Sequence, residues 1–469
     1  MYIKQLYTSC LAEAAYFVES NGEAAIIDPL RDTETYLALA KERGVTIKYI
    51  LETHFHADFV SGHLDLARET GATIVYGPGA QPKFDAHIAQ DNEILTLGDL
   101  SLKVLHTPGH TMESVTFLLL DDKGKEQAIF TGDTLFIGDV GRPDLAVKSN
   151  LSREDLAKHL YHSLHHKIMP LRDHITVYPG HGQGSACGKN MSSETTDTLG
   201  HQKRTNYALN SELSEEQFIE ELTTGLVVPP QYFPKNALLN KFGYDSLAVI
   251  LERGMKPLSV AEFEAQKSQP ETVVLDTRHQ KDFVIGHIPN SIYIGVDGQF
   301  ATWVGTLIED LKAPIIFIAD EGREHEVVTR LSRVGYDNSR GFLQGGIEAW
   351  QKAGKPLATM DEINPDEVEA RFDSIKDNLV DVRKKSEYDT RHLEGIPSYP
   401  LDFINQEAQY FNPDKTYYLH CAGGYRSIIA GSILRTKGIP KVVNVLGGFD
   451  QLKTRHLPLS EEKEVATML

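Results

Sequence analysis

Thr53-His54-Phe55-His56-Ala57-Asp58-Phe59 follows directly on the apolar run Ile47-Lys48-Tyr49-Ile50-Leu51. The run reads as a buried strand. The residues after it set two imidazoles and a carboxylate at alternate positions, so metal chemistry is expected at that strand's end. The next position, where a further histidine would complete a second metal site, is Phe59, which offers no ligand atom.

Three more segments share this design: Thr107-Pro108-Gly109-His110-Thr111, Phe130-Thr131-Gly132-Asp133-Thr134 and Tyr178-Pro179-Gly180-His181-Gly182. In each, a strand-like run ends in a Gly-containing turn that presents one ligand-type side chain, as loops at sheet edges do when they gather distant ligands. Around these segments, β-branched runs such as Glu23-Ala24-Ala25-Ile26-Ile27 and Ala72-Thr73-Ile74-Val75-Tyr76 alternate with helical stretches over the first ~245 residues, which predicts an α/β fold there.

The 469 residues are too many for one ordinary core and suggest roughly two to four domains. A hydrophobic fraction of 41% and a charged fraction of 24% are those of globular protein. The formal net charge of −19 argues against nucleic acid or an anionic membrane surface as the main partner, because both require basic patches. Met1-Tyr2-Ile3-Lys4-Gln5-Leu6-Tyr7 has no charged segment leading into an apolar one, and no later run approaches the roughly 18 apolar residues of a membrane span, so a cytoplasmic location is expected. Cys10, Cys187 and Cys421 cannot form a complete disulfide set and include no C-x-x-C pair. They read as free thiols in a reducing compartment. Cys10 reads as a packing residue.

After Tyr207, Ser214 and Gln217 form a capping box that opens an amphipathic helix, and Val227-Val228-Pro229-Pro230-Gln231-Tyr232-Phe233-Pro234 marks an irregular segment. From Ser259, capped with Glu262, a unit of about 100 residues occurs twice. Val273-Val274-Leu275-Asp276-Thr277-Arg278 is answered by Asn378-Leu379-Val380-Asp381-Val382-Arg383, Gly286-His287-Ile288-Pro289 by Gly395-Ile396-Pro397, and Leu343-Gln344-Gly345-Gly346-Ile347 by Val445-Leu446-Gly447-Gly448-Phe449. Asn364-Pro365, an N-cap and a first-turn proline, starts the second copy.

In that second copy Tyr417-Tyr418-Leu419-His420 reads as a strand, Cys421-Ala422-Gly423-Gly424-Tyr425-Arg426-Ser427 as a loop, and Ile428-Ile429-Ala430-Gly431-Ser432 as a helix. A thiol at the start of such a loop faces backbone N–H groups and a helix N-terminus, which stabilise thiolate and bind anions, with Arg426 adding charge. Cys421 is therefore the expected nucleophile. The first copy has Ile316-Phe317-Ile318-Ala319-Asp320-Glu321-Gly322-Arg323, where counting back five residues from Arg323 reaches Ile318, and it contains no cysteine at all. A structural spacer is its expected role, against an allosteric or partner-binding surface.

The histidine and aspartate segments resemble the metallo-β-lactamase superfamily, and C-x-x-x-x-R resembles the rhodanese active loop. Gly132-Asp133-Thr134-Leu135-Phe136-Ile137-Gly138-Asp139-Val140-Gly141-Arg142-Pro143-Asp144-Leu145 and Gly182-Gln183-Gly184-Ser185-Ala186-Cys187-Gly188-Lys189 are similar to the branch of persulfide dioxygenases fused to rhodanese domains. The resemblance implies an αββα sandwich over 1–245, an inactive rhodanese-like α/β domain over 258–358 and an active one over 364–469. In two-metal hydrolases of the superfamily the residues matching Asp58, position 59 and His181 hold the second ion, so Phe59 implies one metal. His54, His110 and Asp133 are then its expected ligands. That set suits one Fe(II) per chain, and Zn²⁺ equally by ligand type. His56, Asp58 and His181 are read as further ligands or as groups that orient them, and Cys187 either as a small buried thiol or as a reactive one near the metal.

The implied reaction takes a low-molecular-weight thiol persulfide and O₂ to sulfite and thiol. Cys421 then passes sulfane sulfur to sulfite to make thiosulfate, or works in reverse, with Arg426, Ser427 and the loop amides of Ala422, Gly423, Gly424 and Tyr425 holding the anion. A zinc thioester hydrolase of the glyoxalase II type joined to a sulfurtransferase is the first alternative, and a non-enzymatic sulfur carrier or scaffold the second. A homo-oligomer remains open, with the blank copy as the place to look for subunit contacts.

Overall fold

A computed structural model describes residues 1–145, 151–226 and 228–461. Val227 of the expected irregular segment, and residues 462–469 of the last expected domain, lie outside the described residues. The chain divides into two compact units, one of residues 1–249 with 332–335, the other of 250–331 with the residues from 336 onward.

The first unit is built on two six-stranded sheets. One contains β1 (Tyr2–Thr8), β2 (Glu13–Ser20), β3 (Glu23–Ile27), β4 (Thr46–Leu51), β5 (Thr73–Tyr76) and β6 (His87–Ile88), paired in chain order. The other contains β7 (Ile94–Leu97), β8 (Leu100–His106), β9 (Val115–Leu120), β10 (Glu126–Gly132), β11 (Thr176–Pro179) and β12 (Asp197–Thr198), again paired in chain order. Side chains alternate across a strand, and in β8 the leucines and valine at 100, 102 and 104 turn inward while Ser101 and Lys103 are half-exposed. Tyr16, Ile27 and Leu51 of one sheet and Val104, Phe117 and Phe130 of the other form a shared core. Each such side chain contributes about 1.5–3 kcal/mol of burial. A second core, with Tyr36, Leu39 and Leu66, lies under the helices Glu34–Arg43 and His63–Thr70. A third, with Leu156's neighbour Ala157, Leu160 and Phe218, lies under Arg153–Ser163 and Glu215–Thr223. Helices thus cover both outer faces, which makes the expected αββα sandwich.

The irregular segment does not close the first fold. The helix Phe233–Phe242 begins within its last two residues, with Pro234 in the first turn, where a missing N–H is harmless. It belongs to the first unit.

The second unit holds two all-parallel sheets. The first has β13 (Pro257–Leu258), β14 (Val273–Asp276), β15 (Ile292–Tyr293), β16 (Ile315–Ile318) and β17 (Ser339–Leu343), in the order β13-β17-β16-β14-β15. The other has β18 (Asp361–Ile363), β19 (Leu379–Asp381), β20 (Tyr417–His420) and β21 (Val442–Val445), in the order β18-β21-β20-β19. The capping boxes of Ser214, Ser259 and Asn364 all form and start their helices.

Two repeat alignments need correction. Arg278 binds Asp276 and donates to Gly286 O at 2.8 Å, and Arg383 binds Asp381 and donates to Arg391 O at 2.8 Å. His287 stacks on Phe283 and hydrogen-bonds its carbonyl through Nδ1; His392 does the same with Tyr388. The partner of Gly286-His287 is therefore Arg391-His392, and not the Gly395-Ile396-Pro397 segment that resembles it in composition. In the blank loop, Thr277 N–H donates to Ile318 O as Val382 N–H donates to His420 O. Ala319, not Ile318, thus stands where Cys421 stands in the other copy, and the blank loop reaches its arginine one residue sooner.

Candidate functional site

Four loops bring the expected ligands together. His54, His56 and Asp58 follow β4, His110 follows β8, Asp133 follows β10 and His181 follows β11. All six are buried. The ligand atoms of His54, His110 and Asp133 lie within 4.8 Å of one another, and so do those of His56, Asp58 and His181.

Three imidazoles are aimed in the same way. His54 Nδ1 meets Thr53 Oγ1 at 2.9 Å, His110 Nδ1 donates to Arg142 O at 2.8 Å, and His181 Nδ1 donates to Ala12 O at 3.2 Å. With Nδ1 engaged, each ring turns Nε2 toward Asp133. His54 Nε2 is 3.8 Å and His110 Nε2 3.4 Å from Asp133 Oδ2, while His181 Nε2 is 3.5 Å from Asp133 Oδ1 and 3.4 Å from Asp58 Oδ2. Asp133 can face the incoming loop because Gly180 lies beside it; a Cβ there would come 2.6 Å from Asp133 Oδ1.

His56 has carboxylates on its other side as well as Asp58 and His181. Its Nε2 is 3.0 Å from Asp28 Oδ1 and 3.5 Å from Glu52 Oε2. Burial works against a charged ring, but Asp28, Glu52 and Asp58 outweigh it and push the His56 pKa up to about 10. His54 moves the opposite way, because burial and the neighbouring imidazoles hold it well below its ordinary value and leave it a neutral donor. Phe59 is fully buried, its ring 4.3 Å from that of His56.

His54 Nε2, His181 Nε2 and both carboxylate oxygens of Asp58 and Asp133 are buried and have no hydrogen-bond partner. Buried polar atoms normally find one. The donor set of nitrogen and carboxylate oxygen therefore fits a divalent transition metal in its chemistry as well as its geometry.

Cys187 also lies here, its sulfur within 4.8 Å of the ligand atoms of Asp133 and His181. Burial first, then Asp58 and Asp133, push its thiol well above the ordinary range. The motif Gly138–Leu145 explains the placement. Arg142 grips Asp144 bidentately at 2.7 Å, donates through its backbone N–H to Cys187 O, and accepts from His110. Asp139 Oδ2 accepts the Lys189 and Asn190 N–H groups, each at 2.6 Å, and so pins the turn after Cys187.

Sequence reasoning missed Asn240. Fully buried on the helix Phe233–Phe242, it donates to His56 O at 2.8 Å and Phe59 O at 2.7 Å, and accepts Ser61 N–H at 2.9 Å. An asparagine in a helix's last turn was its only signal.

In the second unit Cys421 is the first residue after β20 and is 1% exposed. Gly424 N–H donates to its sulfur at 3.0 Å, and Ser427 Oγ lies 3.6 Å away. The Gly447-Gly448-Phe449 segment underpins the loop: Phe449 N–H donates to Cys421 O and Asp450 N–H to Ala422 O. Arg426, expected to hold the anion with the loop amides, is itself held bidentately by Glu387 at 2.5 and 2.8 Å. Burial would raise the Glu387 carboxyl, but Arg426 holds it below the usual carboxylate range. Ala422, Gly423 and Tyr425 complete the turn, with Tyr425 opening the helix Tyr425–Thr436.

A paired-sheet sandwich with His and Asp side chains in its edge loops, and parallel domains of which one presents a thiol at a helix N-terminus, define the class. The family model for the metallo-β-lactamase superfamily matches residues 9–181, and that for the rhodanese-like domain matches 259–353 and 364–455. The chain belongs to the metallo-β-lactamase superfamily and carries rhodanese-like domains after that fold. The mitochondrial persulfide dioxygenase ETHE1 of Mus musculus is 33% identical over 218 residues, which is 45% of this chain and 74% of that protein. A probable hydroxyacylglutathione hydrolase of Schizosaccharomyces pombe is 33% identical over 188 residues, 39% of this chain and 69% of that protein. A solved metallo-β-lactamase from Staphylococcus aureus subsp. aureus COL shares 34% identity at a TM-score of 0.63, covering 73% of this chain and 98% of that one. Among the described residues, no helix is long and apolar enough to cross a membrane.

Proposed function

We propose that the chain oxidises a low-molecular-weight thiol persulfide at His54, His110 and Asp133 and moves sulfane sulfur through Cys421. One observation carries the reading: two imidazole Nε2 atoms and one carboxylate converge, while the position that would complete a second site is a buried phenyl ring. Two imidazoles and a carboxylate on one face match the ligand set of non-heme Fe(II) oxygenases. Fe(II), one per chain, would supply open coordination positions and the one-electron chemistry that O₂ requires.

The chain's own residues do the positioning. The partners of Nδ1 on His54 and His110 fix both rings. His56 pairs with Asp28 through Nε2 and orients the loop, and it stands with Asp58 and His181 as a further group beside the cluster. Cys187 stays a protonated thiol facing Asp133. The balance is R–S–SH plus O₂ plus water to R–SH, sulfite and two protons. At the second centre the Cys421 thiolate attacks the outer sulfur of a persulfide, thiol leaves, and the Cys421 persulfide passes its outer sulfur to sulfite, restoring thiolate and releasing thiosulfate. Gly424 N–H and the helix N-terminus favour the thiolate. A cytoplasmic location fits this reading.

The hydroxyacylglutathione hydrolase relative supports a second reading, zinc-dependent thioester hydrolysis joined to sulfur transfer. Metal analysis of anaerobically purified protein, with O₂ consumption followed on adding a thiol persulfide, separates the two. Iron with oxygen uptake supports the dioxygenase; zinc with thioester hydrolysis and no uptake overturns it.

A further inference from the structure

The cysteine-lacking copy retains an arginine at the end of its loop, and that side chain has a different task. Arg323 meets Asp297 at 2.8 Å and Glu326 at 2.8 Å. Glu326 in turn holds Arg330 at 2.7 Å, and Arg330 donates to Val296 O at 2.5 Å. Two guanidinium groups bridged by one carboxylate therefore fix the turn Gly295-Val296-Asp297-Gly298, which follows β15.

This turn receives Tyr425 of the active copy. The Tyr425 hydroxyl donates to Gly295 O at 3.1 Å, and its ring meets Tyr293 edge-on at 5.9 Å. Gly298 makes the fit possible, since a Cβ there would stand 2.6 Å from the Tyr425 hydroxyl. Tyr293 N–H also donates to Ser432 Oγ, about two turns along the same helix. Tyr425 directly follows Gly424, whose N–H points at the Cys421 sulfur. Moving the Tyr425 ring moves the peptide that presents that donor.

We infer that Arg323, through the Gly295–Gly298 turn, is a positioning residue for the sulfur loop of the active copy, so the cysteine-lacking copy is a working part of the sulfur-transfer site. The inference rests on Cys421 being the nucleophile. It replaces the role of spacer with a mechanical one.

The test uses the full chain carrying Arg323→Ala or Gly298→Ala. Both should lower kcat/KM for sulfur transfer from thiol persulfide to sulfite by roughly tenfold, because a small displacement of an aligned group is expensive. Both should also shift the pH midpoint of Cys421 alkylation by iodoacetamide upward, because a thiolate that loses an N–H donor is harder to form. Arg323→Lys, which keeps a cation beside Asp297, should return the midpoint toward wild type. An unmoved midpoint in Arg323→Ala, whatever the transfer rate, overturns the inference. A Cys421→Ser chain that still transfers sulfur would overturn the underlying reading instead.

Discussion

Asn240→Ala puts the strongest demand on the account of the metal loop. The wild-type amide makes three buried hydrogen bonds to the segment that carries His56, Asp58 and Phe59, at 2.7, 2.8 and 2.9 Å. A buried group left without its partner costs about 1–3 kcal/mol, and water entering the space recovers part of this. Three such groups give roughly 3–5 kcal/mol. At about 2–4 °C per kcal/mol for a unit of this size, the thermal transition of the first unit should fall by roughly 10 °C. A loosened loop should also weaken metal retention by about tenfold to a hundredfold, the usual penalty for losing a group that orients ligands. Differential scanning calorimetry reads the first effect and competition with a chelator the second. Asn240→Asp sharpens the test, because it keeps the size and the acceptor for Ser61 N–H but turns a carboxylate oxygen toward two carbonyls; it should behave at least as badly as alanine. Wild-type calorimetry and wild-type metal retention in both variants would refute the claim that this side chain holds the motif.

Phe59→His should raise the bound metal from one toward two ions per chain, since Asp58 and His181 already face each other at 3.4 Å; unchanged stoichiometry by elemental analysis would break the argument from position 59. Cys421→Ser should keep oxygen uptake and lose thiosulfate formation, and retained formation would exclude Cys421 as the nucleophile. The Glu387 carboxyl is held low by Arg426 against the effect of burial, so the pair's stabilisation is full above the unfolded value of about 4.3 and is lost as pH falls through the depressed one. Acid unfolding of Glu387→Gln should accordingly show a shallower pH dependence than wild type below about pH 4; an identical profile would mean that the pair is not coupled to folding.

The candidate ligands were legible because each stands in a turn after a strand, and that local pattern survives in one dimension. Their supports were not. Asn240 is 181 residues from Phe59 and Asp28 is 25 from Thr53, and a single polar residue at such a distance has no spacing to read. Glu387 escaped for the same reason, 39 residues before Arg426. The repeat misled where composition and structure diverge. Gly395-Ile396-Pro397 looks like Gly286-His287-Ile288-Pro289, yet the feature both copies preserve is a histidine stacked on an aromatic ring four residues earlier, which His392 keeps without the flanking glycine and proline. The blank loop was misaligned by one residue because counting from the arginine assumed equal loop lengths. Only the strand pairing reveals the shorter one.

The Nδ1 anchors of the three cluster imidazoles come from Thr53, Arg142 and Ala12, two of them through main-chain carbonyl oxygens. These partners are part of the fold, so the ring orientations are set by the chain itself. A site of two or three imidazoles and a carboxylate binds first-row divalent ions in the general order of their intrinsic affinity, which places zinc above iron. Which ion is delivered, and when, therefore depends on the metal supply of the cell making the chain, and protein from a zinc-rich expression culture and from an iron-rich one should be treated as two different preparations.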